Sequence, residues 1–221
     1  MRVTSDKNKK AQFRGCGEGA SYKPWIMACE INSTGTTANI IDWKHGRAVQ
    51  LLSAGEEMYY YDLRWDDAVL DIREQFPLDD EVTRRIAALY GIRHPRGAMT
   101  TDFLVSYLNN CYVAYSIKAT RTDVDFDLSR TDEERKKAIR TSEKLFIEKC
   151  YWKTLGVEWR LVYKEDLDPL YISNIRRAVF YYDKSRVHDD VSEIKHLIAT
   201  KQISVDLHSR LDYEDLIAQY L

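Results

Sequence analysis

The sequence predicts an α/β fold: a mixed sheet covered by helices, followed by a small helical unit. Three observations predict it. Strand-like and helix-like stretches alternate between about residue 38 and residue 163. A single hairpin signal, MTTDFLVSYLNNCYVAYSIKAT (residues 99–120), interrupts that alternation. After Tyr163 only helical spacing remains.

The chain has 221 residues, ample for a sizeable core. Its net charge of −2 excludes an autonomous electrostatic DNA binder, so any nucleic-acid contact must come from a local patch or a partner. Cys16, Cys29, Cys111 and Cys150 have no CxxC spacing, which argues against a zinc site or a disulfide framework and fits a reducing, cytoplasmic location. No stretch is apolar enough for a signal peptide or a membrane span.

Residues 1–20 are charged and glycine-rich and are expected to form a flexible arm, whose Lys7, Lys9, Lys10 and Arg14 can face phosphate or solvent. Pro24 to Asn32 and Ala38 to Trp43 have strand character, with a turn at Ser33-Thr34-Gly35. His45-Gly46 turns the chain into a short strand, AVQLL. Ser53-Ala54-Gly55-Glu56 has the S-x-x-E spacing that caps a helix, which runs to about Arg64. AVLDIREQF reads as a strand, and Asp80 to Tyr90 as a short helix stopped by Gly91. The hairpin turns at Asn109-Asn110. Thr131 to Trp152 is a long helix ended by Gly156, and VEWRLVY is the last strand. Asp168-Pro169 opens a helix, and two more follow around 189–200 and 210–220. The expected division is therefore an arm (1–20), a core domain (21–165) and a helical C-terminal domain (166–221).

The chemistry is concentrated in the hairpin. Asp102 opens one strand and Lys118 closes its neighbour, so antiparallel pairing brings both to one end of the sheet. A carboxylate there suits a hard divalent cation, and a lysine can orient water or stabilise charge on a phosphate. Glu56, at the start of its helix, is the best third member; the alternative is that it only completes its capping box. An acid on a helix, an Asp on one strand and an x-x-Lys segment on the next is the layout of restriction-endonuclease-like PD-(D/E)xK nucleases. Ser116 stands where that pattern has an acid two residues before the lysine.

Longer stretches carry a resemblance. Tyr22-Lys23-Pro24-Trp25, GRAVQLLS (46–53), VLDIREQFPL (69–78), IRHPRGAMTTDFLV (92–105) and TSEKLFIEKCYW (141–152) resemble the TnsA family, in the same order and at nearly the same spacing. That family provides the endonuclease subunit of heteromeric bacterial transposases. The resemblance implies a restriction-endonuclease-like domain that is Mg²⁺-dependent, with Mn²⁺ as a substitute. It implies cleavage of the 5′ strand of double-stranded DNA at transposon ends. Its partners would be a DDE-type transposase, TnsB, which cuts the 3′ strand, and an ATPase regulator, TnsC, which contacts the C-terminal region.

Carried over position by position, the family's glutamate falls on Glu56, its aspartate on Asp102 and its lysine on Lys118. Its glutamine falls on Ser116 and its proline on Ala119, so the position two before the lysine is not a carboxylate in the family either. The implied metal ligands are Glu56, Asp102, Ser116 and the carbonyl of Ile117. Glu57 adjoins Glu56, but the spacing to Trp65 favours Glu56. Glu148 also matches a family acid; pairing with Lys144 or packing beside Trp152 is the expected use. Ile194, Leu197, Ile198, Leu216 and Tyr220 either dock the regulator or form their own core. Two other functions compete: a weakened adaptor joining transposase to regulator, and a stand-alone nuclease on the same fold.

Overall fold

The computed structural model describes residues 4–30 and 37–221. The turn expected at Ser33-Thr34-Gly35 lies outside them. The chain order is α1 (Asp6–Ala11), β1 (Ala38–Ile41), β2 (Ala48–Leu51), α2 (Ala54–Trp65), β3 (Val69–Pro77) and α3 (Asp80–Leu89). Then come β4 (Thr100–Tyr107), β5 (Tyr112–Lys118), α4 (Asp132–Thr154), β6 (Glu158–Tyr163), α5 (Pro169–Val179), α6 (Asp190–Ala199) and α7 (Tyr213–Tyr220).

The main sheet has the order β3-β4-β5-β6. Its first three strands are antiparallel, and β6 runs parallel to β5. Parallel neighbours need a crossover, and α4 provides it. One face of the sheet packs Phe103, Val105, Tyr115 and Ile117 against Tyr60 and Leu63 of α2 and the β1-β2 hairpin. The other face packs Leu104 and Ala114 against Ile147 and Trp152 of α4 and Ile86 of α3. This two-faced burial is the helix-covered mixed sheet expected from the alternation.

Local chemistry fixes the elements around the site. Ser53 caps α2, its Oγ accepting from Glu56 N. Thr131 and Asp168 cap α4 and α5 in the same way. Gly55 lets the first turn of α2 approach β5, because a Cβ there would sit 3.0 Å from Ile117 Cγ2. Charged β3 residues are matched rather than exposed. Arg47 donates to both oxygens of the fully buried Glu74 at 2.8 and 2.6 Å, and to Ile72 O. That bidentate pair ties the first hairpin to the main sheet.

Two N-terminal expectations differ. The described residues from Pro24 to Glu30 form no strand; Ala28–Glu30 is a single 3-10 turn. Trp25 and Tyr22 bury themselves singly, Trp25 N donating to Gln75 O and Tyr22 OH to Glu74 O, so no ladder is needed. The stretch expected as an arm contains α1 and folds back on the core. Lys9 is buried over the Trp25 ring, Arg14 pairs with Glu30 at 2.6 Å, and Asp6 accepts from Ala98 N. Those two basic side chains are occupied within the protein; Lys7 and Lys10 are exposed.

The C-terminal helices share one apolar cluster with α2. Ile172, Ile175, Ile194 and Ile198 pack with Tyr61, and Leu197 and Leu216 lie against them. The last helices thus spend most of their apolar residues on their own core. Tyr220 remains 38% exposed.

Candidate active site

The β4-β5 ladder is regular from Ser106/Tyr112 to Phe103/Tyr115 and then stops, although β4 continues back to Thr100 and β5 on to Lys118. Beyond that point β5 is paired only on its other side, Lys118 lying opposite Tyr163 of β6. Where the backbones part, a side chain takes over: Asp102 Oδ2 accepts from Ile117 N at 2.7 Å. Lys118 Nζ lies 3.8 Å from the same oxygen and donates to Ile117 O at 2.7 Å. Asp102 and Lys118 therefore meet as the hairpin register predicts.

Glu56 approaches from α2. It is almost fully buried, accepting from Leu52 N at 2.9 Å and Ser53 Oγ at 3.0 Å. The capping alternative is thus partly realised, with Glu56 serving the helix start and facing the site at once. Burial, reinforced by the Asp102 charge, pushes its carboxyl up to about 8, despite the Leu52 amide, Ser53 hydroxyl and Lys118.

The side chain joining these acids is Gln75, which sequence reading used only as part of the DIREQFPL signature. Its Nε2 donates to Glu56 Oε2 at 3.3 Å and to Asp102 Oδ1 at 3.5 Å. Its signal is faint: a lone amide in a strand otherwise made of apolar and ionic residues.

Ser116 is turned toward α4. Its Oγ donates to Glu148 Oε1 at 2.6 Å and accepts from Trp159 Nε1 at 3.1 Å. Thr101 Oγ1 donates to the same Glu148 oxygen. Glu148 is therefore neither a partner of Lys144 nor simple packing. It lines a cleft of about 340 Å³ together with Asp102, Lys118, Thr141 and Lys144. Burial, then the Asp102 charge, raises its carboxyl to about 7, against the Ser116 and Thr101 hydroxyls and Lys118. Its partners lie 47 and 32 residues away, beyond the reach of local spacing. Glu57 points elsewhere, 3.3 Å from Arg176. A larger cavity of about 930 Å³ lies between β1, α2 and α5, away from these acids.

Among the described residues no group of three or more His, Cys, Asp and Glu is gathered to hold a metal. The oxygen donors at the parted strands are the Asp102 carboxylate and the Ile117 carbonyl, which also accepts from Lys118 Nζ, with the Glu56 carboxylate reaching in from α2. That set fits a hard divalent cation completed by water. A cation would also offset both the burial and the Asp102 charge that raise the Glu56 carboxyl.

A four-stranded mixed sheet with two acids and a lysine where its central strands part defines a restriction-endonuclease-like protein. The profile of the family described as TnsA-like endonuclease N terminal matches residues 66–164. Transposon Tn7 transposition protein TnsA of Escherichia coli is 36% identical over 167 residues, covering 73% of this chain. The chain matches 57% of that protein's length. This chain belongs to the TnsA family. The profile match begins after α2, so the place of Glu56 in the site rests on the geometry. No helix among the described residues is long and apolar enough to cross a membrane.

Proposed function

We propose that this protein is the endonuclease subunit of a cut-and-paste transposase. It would hydrolyse the 5′ strand at transposon ends, beside a DDE-type TnsB-like partner that cuts the 3′ strand. The observation that carries the reading is the meeting of Asp102, Lys118 and Glu56 where β4 and β5 part.

Glu56 and Asp102 would hold Mg²⁺ or Mn²⁺, with Ile117 O in reach of the same space. The ion would supply a more acidic water and neutralise charge on the phosphate oxygens. Asp102 is anchored by Ile117 N, so its carboxylate enters the reaction pre-oriented. Lys118, held against Asp102, faces the attacking water and the charge that builds on the phosphate. Water oxygen bonds to phosphorus, the bond from phosphorus to the 3′ oxygen breaks, and that oxygen takes a proton. The products are a 5′-phosphate and a 3′-hydroxyl. Ser116 acts through Glu148 rather than on the ion, given where its hydroxyl points.

In this reading residues 21–165 are the catalytic domain and 166–221 a domain that docks a TnsC-like ATPase. The exposed end of α7, around Tyr220, suits docking better than the buried Ile194 or Ile198. The near-neutral net charge fits a subunit brought to DNA by partners in the cytoplasm.

The test is strand-specific cleavage of labelled transposon-end DNA with partner proteins and Mg²⁺ or Mn²⁺. Wild type should cut the 5′ strand, and Asp102→Asn and Lys118→Ala should leave only the 3′ nick. If wild type also leaves only the 3′ nick, the protein is an adaptor. Cleavage with no partner present would favour a stand-alone nuclease.

A further inference from the structure

Glu56 and Asp102 approach each other from different elements, one on α2 and one on β4. Each has its own anchor: Leu52 N and Ser53 Oγ for Glu56, Ile117 N for Asp102. Neither anchor sets the distance between the two. The side chain that touches both is Gln75, on the neighbouring strand β3.

Three features hold that amide in place. Gln75 is 3% exposed, so its side chain has no freedom to swing into solvent. Thr100 Oγ1 donates to Gln75 Oε1 at 3.2 Å, which turns the NH₂ end toward the acids. The backbone has φ of +48°, a conformation non-glycine residues seldom adopt, and Gln75 O is held by Trp25 N at 3.2 Å. Such strain persists only where the surroundings over-determine it. It falls on the residue between Glu74, paired with Phe103, and Phe76, paired with Thr101, and so opposite Asp102.

We propose that Gln75 is a positioning residue for metal binding, its amide bridging Glu56 and Asp102 and setting the separation at which they receive a divalent cation. This rests on the reading of those two acids as the metal-holding pair. An amide can donate one hydrogen to each carboxylate without adding charge, so it spaces them without competing with the ion. Groups that orient metal ligands from behind alter metal affinity by about 10- to 100-fold when removed.

The test is calorimetric titration of the whole protein with Mn²⁺ alone, for wild type, Gln75→Met, Thr100→Val and Asp102→Asn, beside metal-free melting curves. Methionine keeps the length and bulk of the side chain but cannot donate. Gln75→Met should weaken Mn²⁺ binding by about 10-fold or more while its melting temperature stays near wild type, and its DNA cleavage should recover as Mn²⁺ is raised. A purely structural role would instead lower melting and leave affinity unchanged. Should Gln75→Met fail to fold, Thr100→Val decides: loss of the orienting hydroxyl should weaken Mn²⁺ binding by about 3-fold. Wild-type affinity in folded Gln75→Met, or in Thr100→Val if that variant must decide, overturns the proposal. Asp102→Asn binding Mn²⁺ as tightly as wild type would instead remove the metal site itself, a failure separate from that of Gln75.

Discussion

The two ends of the β4-β5 hairpin are built on opposite principles. At the turn end, backbone pairs with backbone: Tyr107 N donates to Cys111 O, and the ladder runs unbroken to Phe103/Tyr115. Its side chains, Phe103 and Val105, are completely buried. At the other end the strands part, Asp102 replaces a missing backbone partner, and two buried acids, Glu56 and Glu148, stand near it. The turn end is optimised for stability. The open end stores unfavourable electrostatics that a bound cation would release. Stability and chemistry are thus separated along one pair of strands by a single residue, from Phe103 to Asp102.

The sharpest way to break this contrast is to substitute on either side of the divide. Asp102→Asn should lower cleavage by about 10³-fold with little change in melting temperature, since an amide oxygen can still accept from Ile117 N. Phe103→Ala should do the reverse, costing about 3–5 kcal/mol in chemical denaturation, with the folded fraction cutting normally. If both variants lose the same property, the separation is wrong.

The stored electrostatics predict a pH dependence. Glu56 binds its proton more tightly folded than unfolded, because its folded carboxyl is raised to about 8. The folded state therefore holds the extra proton between about pH 4.5 and 8, and metal-free stability should fall as pH rises through that window, on the order of 3 kcal/mol by pH 7. Glu56→Gln should reduce the fall in melting temperature over pH 5–8, most of all above pH 7, where the raised Glu148 carboxyl contributes least. A metal-free profile that is already flat in wild type would count against a strained acid pair.

Smaller effects lie at the margins. Lys144, at the rim of the cleft, has its pKa lowered by desolvation and by the neighbouring cations Arg140 and Lys118. Lys144→Ala should weaken DNA binding evenly across sequences and reduce the salt slope by about 1. Asn110, at φ +59° in the turn, is the mildest case: Asn110→Gly should change stability by less than about 1 kcal/mol and leave cleavage untouched.

How much of this was legible in the sequence follows from the range of each interaction. The helices α2, α4 and α5 begin at Ser53, Thr131 and Asp168 because capping is a contact over two or three residues. The Asp102–Lys118 meeting follows from hairpin register, which the Asn109-Asn110 turn sets. Glu148 is legible as an acid, but its place is not, since its partners come from β4 and β5. The position of Ser116 two before Lys118 suggests a metal ligand, whereas its hydroxyl is held between Glu148 and Trp159. The place of Gln75 is not legible because it depends on one left-handed residue, which no hydrophobic period encodes. The stretch from Pro24 to Glu30 has strand-like composition, yet its Trp25, like Tyr22 just before it, is held by an isolated bond to β3.

The parallel pairing of β5 with β6 also sets an order of events during synthesis. Lys118 has its ladder partner at Tyr163, and the α4 wall of the cleft lies between them in the chain. A nascent chain that has just exposed the hairpin carries Asp102 and Lys118 but neither the wall nor the neighbouring strand. At about 5–20 residues per second, the ribosome needs roughly 2–9 seconds more to deliver that partner. Until then Asp102 and Lys118 face open water, with no cleft around them.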